Sequence, residues 1–220
     1  MFTSDLKLFL TELKENNNKE WFASQKSRYD EIKDLLNKYV AALIEAMTEY
    51  EPDFQYLQPK DCLFRIHRDT RFANDKTPYK TNIGVYISKN GKNGGYAGYY
   101  LHIEPDKCFV AGGVYQPEKN VLAAIRSEIV NNYQDFHKLL NQKDLKKEFE
   151  LSGEKLKKIP RGFAEDFEGG EYLKMKDIIV SKDFSDDILT QKEGLNFIID
   201  NFRKIKPLND FFNQIITDIN

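Results

Sequence analysis

Apolar residues recur at helical spacing from the start of the chain. Leu6, Phe9, Leu10 and Leu13 fall on one helix face behind Phe2, with Thr3, Ser4 and Asp5 as capping candidates, and the pattern stops at Asn16-Asn17-Asn18. A second stripe opens behind an asparagine cap with Glu20 in its first turn. Phe22, Tyr29, Leu36, Leu43 and Tyr50 repeat every seven residues, with Ile32, Tyr39 or Val40, and Met47 between them. This spacing predicts one long core-facing helix over 18–50. A coiled-coil dimer is the alternative reading, and the aromatics in the stripe favour packing across a sheet instead.

The period changes to two after Pro52 and Pro59. Segments 62–69, 83–88, 99–104 and 107–113 alternate or carry strand-forming residues. Asn90-Gly91-Lys92-Asn93-Gly94-Gly95 reads as a hairpin loop and Pro105-Asp106 as a tight turn, so the last three segments form an antiparallel meander. Pro117 opens a helix carrying Val121, Leu122, Ile125 and Ile129. Beyond it, charged helical pieces alternate with Gly-rich breaks at Gly153, Gly162 and Gly169-Gly170, and the last helices are expected over 186–204 and 209–219. Helices bracketing a sheet in blocks indicate an α+β fold. The expected architecture is an antiparallel sheet, about 62–114, covered by the long N-terminal helix and C-terminal helices in a single domain, 1–220.

Composition agrees with a globular chain: of 220 residues, 40% are hydrophobic and 31% charged. The longest uncharged apolar runs, such as 96–103, fall far short of the roughly 18–20 residues a membrane helix requires. The first residues lack a basic leader and a small-residue cleavage site, so a cytoplasmic protein with no membrane partner is expected. Cys62 and Cys108 form no Cys-x-x-Cys pair, lie in apolar stretches and read as reduced core thiols.

Charge changes the picture only when resolved along the chain. The total is −2, yet residues 60–80 hold six Lys or Arg against three Asp, a local balance of +3. Alternation across 62–69 puts Cys62, Phe64 and Ile66 on one face and Arg65, His67 and Asp69 on the other. Arginines clustered at a strand end suit a carboxylate or phosphate, because the guanidinium fork donates two parallel hydrogen bonds and stays charged. The competing reading is a loop pinned internally, with Asp69 and Asp75 pairing to Arg68, Arg71 and Lys76. The two are compatible, since three aspartates cannot neutralise six cations. A near-neutral total and the confinement of excess charge to one loop speak against nucleic acid.

Tyr100, His102 and Glu104 share one face of their strand. His102 with Glu104, and His67 with Asp69, are candidates for acid–base work or, less specifically, for a metal. A second basic cluster lies in 153–163, where Pro160 and Gly162 shape the backbone around Arg161; a plain surface turn is the alternative reading. Phosphate-binding, dinucleotide, nucleophile-elbow and zinc-protease motifs are missing, and no metal or cofactor is expected.

Several stretches together carry a family resemblance. The run Arg-Ile-His-Arg-Asp-Thr-Arg-Phe-x-x-Asp-Lys-Thr-Pro-Tyr-Lys-Thr (65–81) is the longest of them. With it go Tyr-Tyr-Leu-His-Ile-Glu-Pro (99–105), Gly-Gly-x-Tyr-x-Pro (112–117), Ala-Ile-Arg-x-Glu-Ile (124–129), Leu-Lys-Lys-Ile-Pro-Arg-Gly-Phe (156–163) and the opening Phe-Leu-x-x-Leu-x-x-Asn-Asn-x-Lys-x-Trp-Phe (9–22). The chain resembles, over nearly its whole length, the conserved hypothetical family called domain of unknown function 2461. The resemblance implies no activity or cofactor. It marks Arg65, Arg68, Asp69, Arg71, Asp75, Lys76, Pro78, Tyr79 and Lys80 as signature positions.

The leading expectation is a ligand-binding domain that captures a small phosphate- or carboxylate-bearing molecule. Arg65, Arg68, Arg71, Lys76 and Lys80 would build the pocket, Tyr79, His102, Arg126 and Arg161 would lie nearby, and Asp69 and Asp75 would fix the loop. The alternatives are an enzyme on an acidic or phosphorylated metabolite, with His67 or His102 as acid–base residue, and an interaction module for an acidic partner or nucleic acid. Nothing in the sequence sets the oligomeric state.

Overall fold

The structure is a computed structural model and describes residues 4–71 and 74–219. In chain order the elements are α1 (Ser4–Glu15), α2 (Lys19–Ser24), α3 (Lys26–Thr48), α4 (Pro59–Cys62), β1 (Ile83–Ser88), β2 (Gly98–Ile103), β3 (Cys108–Val114), α5 (Lys119–Asn131), α6 (Tyr133–Leu140), α7 (Lys143–Glu148), β4 (Glu150–Ser152), α8 (Gly170–Leu173), β5 (Ile178–Phe184), α9 (Asp187–Thr190) and α10 (Gly194–Asp218). The fold is α+β, and the strands form a five-stranded antiparallel sheet in the order β1-β2-β3-β5-β4. The chain packs as two compact units. One comprises 1–93, 100–110 and 183–200, and the other 94–99, 111–182 and 201–220.

In the first unit, α1 buries Leu6, Phe9, Leu10 and Leu13, the stripe read from the sequence; Phe2 and the cap candidate Thr3 lie outside the described residues. Asn18 caps α2 by accepting from the Trp21 N–H at 2.8 Å. The expected single helix over 18–50 is two helices, because Gln25 leaves helical geometry (φ −98, ψ 10). No Gly or Pro marks that break. It turns the Trp21 and Phe22 rings to within 5.7 and 6.3 Å of Phe9, and an aromatic cluster is a tertiary reward that a one-dimensional pattern does not display. Beyond the break, α3 buries Ile32, Leu36, Tyr39, Val40, Leu43, Ile44 and Met47.

The expected strand over 62–69 is also corrected. Pro59 starts a helical turn that ends at Cys62, with the Asp61 carboxylate accepting from the Gln58 N–H at 2.9 Å. Among the described residues that follow, the pairing is by isolated bridges, Leu63 with Val85 and His67 with Tyr79. Phe64, placed by alternation with Cys62 and Ile66, is exposed while those two are buried. The strands expected at 83–88, 99–104 and 107–113 are present as β1, β2 and β3 to within a residue.

In the second unit, β4 pairs antiparallel with β5, Leu151 lying opposite Val180. The sheet therefore extends beyond 62–114. Neither strand announces itself: β4 is three exposed residues, and β5 alternates for only a few residues before Lys182 and Asp183. The helices expected over 186–204 and 209–219 are α9 and one continuous α10 containing Pro207. The proline costs about 3 kcal/mol in a helix interior. Ile205, Leu208, Phe212 and Ile216 bury an unbroken stripe around it, at about 1.5–3 kcal/mol each, so packing outweighs the breaker. Two close approaches explain Gly112 and Gly113: a Cβ at 112 would stand 2.3 Å from Ile205, and one at 113 only 2.1 Å from the Ile178 carbonyl, with φ at +121.

Cys62 and Cys108 are free and buried, and burial pushes their thiols up to about 12 and about 11. No helix among the described residues is long and apolar enough to cross a membrane.

Candidate functional site

The first unit holds the signature run, and backbone pairing sets its shape. The Phe64 N–H donates to the Gly84 carbonyl at 3.0 Å, Lys80 N–H to Ile66 at 2.8 Å and Arg68 N–H to Pro78 at 2.9 Å. Two extended stretches thus run side by side, and the polar chain between them closes as a loop.

Within that loop the two aspartates organise the backbone. Asp69 accepts from the Arg71 N–H, Nε and Nη2 at 3.2, 3.0 and 2.7 Å, and the Arg71 guanidinium holds its carboxyl well below the usual carboxylate range. Asp75 accepts from the Thr77 N–H and hydroxyl at 2.9 and 2.8 Å and pairs with Arg68 at 2.8 Å. Lys76 caps the Thr70 carbonyl at 2.8 Å. Arg68, Arg71, Lys76 and Asp75 therefore pin the loop.

Two cations remain. Arg65 is exposed and makes no hydrogen bond or ion pair among the described residues. Lys80 has no carboxylate partner there either; its Nζ lies 5.3 Å over the Phe64 ring. Burial and then the neighbouring Arg65 and Arg68 charges push its ammonium down. The Arg65 and Arg68 charges thus lie close to Lys80, and Asp69 is the carboxylate that feels Arg65.

Of the aromatic and histidine candidates beside the loop, Tyr79 belongs to the core and His67 is exposed. Tyr79 is buried, with its ring stacked on Phe22 at 3.9 Å and 12°. His67 lies edge-on to Tyr79 and Phe22 at 5.2 and 6.0 Å. The sheet face bearing Tyr100 carries a hydrogen-bonded row instead. Tyr100 Oη is 3.0 Å from His102 Nδ1, and His102 Nε2 is 3.3 Å from Glu104 Oε2. Thr81 donates to the other Glu104 oxygen at 3.5 Å. The imidazole stacks on Phe109 at 4.6 Å and 11°, and burial pushes His102 down. With side chains 14% and 20% exposed, His102 and Glu104 are shielded without being sealed.

Phe64 joins the two groups. Its ring stands T-shaped to Tyr100 at 6.5 Å while its face carries Lys80. Gly84 leaves the room, since a Cβ there would lie 2.9 Å from Tyr100 Oη and 3.1 Å from Phe64. The sequence does not single out Thr81, Phe109 or Gly84, and alternation places Phe64 on the core face. Phe109 was within reach, because period two on its strand sets it across from Cys108 and Val110; Phe64 was not, because its segment is not a regular strand.

A cavity of about 280 Å³ in the same unit is lined by Leu6, Leu10, Ile103 and Leu189, with Lys7, Glu104 and Asp186 among its polar residues. It contains none of the arginines, and its one lining cation, Lys7, is already paired with Asp186 at 2.9 Å, which leaves Glu104 and Asp187 to make the lining acidic. Arg126 and Arg161 belong to the second unit. Arg126 donates to the Met175 carbonyl at 2.9 Å, its Nε is buried without a partner among the described residues, and burial pushes it down. Arg161 is exposed on a turn before Gly162 (φ +95). Among the described residues no group of three His, Cys, Asp or Glu is arranged to hold a metal.

No curated protein and no solved structure matches the chain. One family model does, over residues 5–211, which include both the loop and the histidine row. The chain belongs to the family described as conserved hypothetical protein, DUF2461.

Proposed function

We propose that the protein binds a small phosphate- or carboxylate-bearing ligand through Arg65 and Lys80, with Phe64 and Tyr100 as the surface for its organic part. The observation that carries this reading is that neither Arg65 nor Lys80 is ion-paired to a carboxylate among the described residues, while the loop's aspartates are committed to Arg68 and Arg71, Asp69 also feeling the Arg65 charge. Arg68 adds field to the site, and Arg71 and Lys76 hold the loop that borders it. A cytoplasmic location goes with this reading, supported by two unbridged thiols that burial keeps protonated. A thermal-shift panel of inorganic phosphate, sugar phosphates and aromatic acids tests it. Ligand at 100 times its dissociation constant stabilises by about 2.7 kcal/mol, a rise of about 5–10 °C for a chain of this size. A flat panel, or an equal shift in an Arg65→Gln, Lys80→Gln double variant, would sink the reading.

A second reading, an enzyme acting on such a molecule, is favoured by the Tyr100–His102–Glu104 row. It selects His102 over His67, whose ring packs on Phe22 and Tyr79 and whose neighbour Asp69 is taken by Arg71.

A further inference from the structure

We propose that Tyr100 is a nucleophile, activated by His102 and Glu104, that accepts the acyl group of an ester carrying an acidic substituent about one aromatic ring away. The substituent's place rests on the anion reading above; the nucleophile does not.

The order of the row fixes the protons. A carboxylate only accepts, so the Glu104 contact places hydrogen on His102 Nε2 and leaves the Nδ1 lone pair facing Tyr100 Oη at 3.0 Å. The phenol therefore donates to the imidazole. A hydroxyl nucleophile, a neutral base and a carboxylate that orients the base are the three parts of a covalent acyl-transfer triad, recognised by geometry and roles. Thr81 and Phe109 hold the carboxylate and the ring plane. Burial keeps His102 neutral near pH 7, as a base must be.

The distances set the substrate. The Phe64 ring lies 5.3 Å from Lys80 Nζ on its face and 6.5 Å from the Tyr100 ring at its edge. A molecule whose acidic group sits on Lys80 and Arg65 must cross that ring before its reacting carbon meets Oη. Tyr100 Oη attacks the ester carbonyl carbon, and its proton passes to His102 Nδ1. The carbon–oxygen bond to the alcohol then breaks, and the departing oxygen takes that proton. Water attacks the resulting aryl ester, giving a proton to His102 as the bond to Oη breaks, and Tyr100 recovers its proton. The net change is ester and water to acid and alcohol. A phenol leaves more readily than an aliphatic hydroxyl, so this acyl intermediate resolves without a stronger base.

The test uses 4-(fluorosulfonyl)benzoate, whose reactive sulfur lies one ring from its carboxylate, alongside uncharged benzenesulfonyl fluoride. Attack forms a stable sulfur–oxygen bond and expels fluoride, and peptide mapping locates it. Tyr100 is expected to be labelled ahead of the other eleven tyrosines, at least tenfold more slowly in His102→Gln and in Glu104→Gln. Arg65→Gln is expected to slow the benzoate reagent alone. Release of 4-hydroxybenzoate from 4-acetoxybenzoate is expected from the wild type and not from Tyr100→Phe. Preferential labelling elsewhere, labelling indifferent to both His102 and Glu104 variants, or undiminished turnover in Tyr100→Phe overturns the proposal. If Tyr100 is labelled with His102 dependence but neither reagent responds to Arg65, the nucleophile stands and the anion reading falls. Arg65-dependent binding of the benzoate without Tyr100 labelling gives the reverse.

Discussion

The side-chain amide of Asn17 pairs with the backbone of Tyr79 on both sides, accepting from its N–H at 3.1 Å and donating to its carbonyl at 3.0 Å. The amide does the work of a strand residue and ties the α1–α2 turn to the signature run. Asn17→Ala leaves both groups of a buried residue unpaired, at about 1–3 kcal/mol each. Urea unfolding should show a loss of at least about 2 kcal/mol with an unchanged slope. Asn17→Asp keeps the acceptor and loses the donor, and should fall between.

Glycines at positive φ separate strain from collision. Gly95 (φ +75) has nothing within 4 Å of where its Cβ would stand, whereas Gly113 (φ +121) would meet the Ile178 carbonyl at 2.1 Å. Gly95→Ala should cost only the left-handed backbone, about 1–2 kcal/mol. Gly113→Ala adds a backbone clash that no rotamer relieves and should abolish cooperative thermal unfolding. Equal melting temperatures for the two variants would contradict this.

Glu148 sits between Lys182 at 2.6 Å and Lys204 at 2.7 Å, and those ammonium groups pull its carboxyl from 4.5 down to about 2. Between those values the unfolded chain binds the proton and the folded one does not. The contribution is therefore complete above about 4.5 and lost as the pH falls toward about 2. After allowance for solvent screening it amounts to about 1 kcal/mol. Stability curves of wild type and Glu148→Gln should converge on acidification and separate at pH 7.

His102 is held below its ordinary 6.5, chiefly by burial. Here the folded state binds fewer protons, so stability is at its full value above 6.5 and declines as the pH falls from there to the folded value. An NMR titration should find the His102 midpoint below 6.5, rising when Phe109→Ala opens its face. A midpoint above 6.5 would mean that Glu104 outweighs burial.

The parts of the fold that were legible are those where local pattern and tertiary demand agree. The stripe Leu6, Phe9, Leu10 and Leu13, the Asn18 cap and the meander of β1–β3 each follow from residues close in sequence. The misreadings occur where packing overrides pattern: Gln25 breaks a helix without a breaker, Pro207 fails to break one, and β5 joins the sheet from sixty residues away on a few alternating positions. The charge excess of 60–80 marks the segment of the proposed site but does not sort its cations. Which arginine is spent on which aspartate depends on loop closure, and Asp75 reaching Arg68 while Arg65 is left over is not written in the spacing.

The central claim is that Arg65 and Lys80, and not the whole basic loop, hold the anion. Calorimetric titration of inorganic phosphate into the wild type, Arg65→Gln and Arg71→Gln addresses it most directly. At least a tenfold weakening is expected for Arg65→Gln, against less than twofold for Arg71→Gln, whose guanidinium is bidentate on Asp69. Equal weakening by the two variants, or binding that neither changes, would contradict the account.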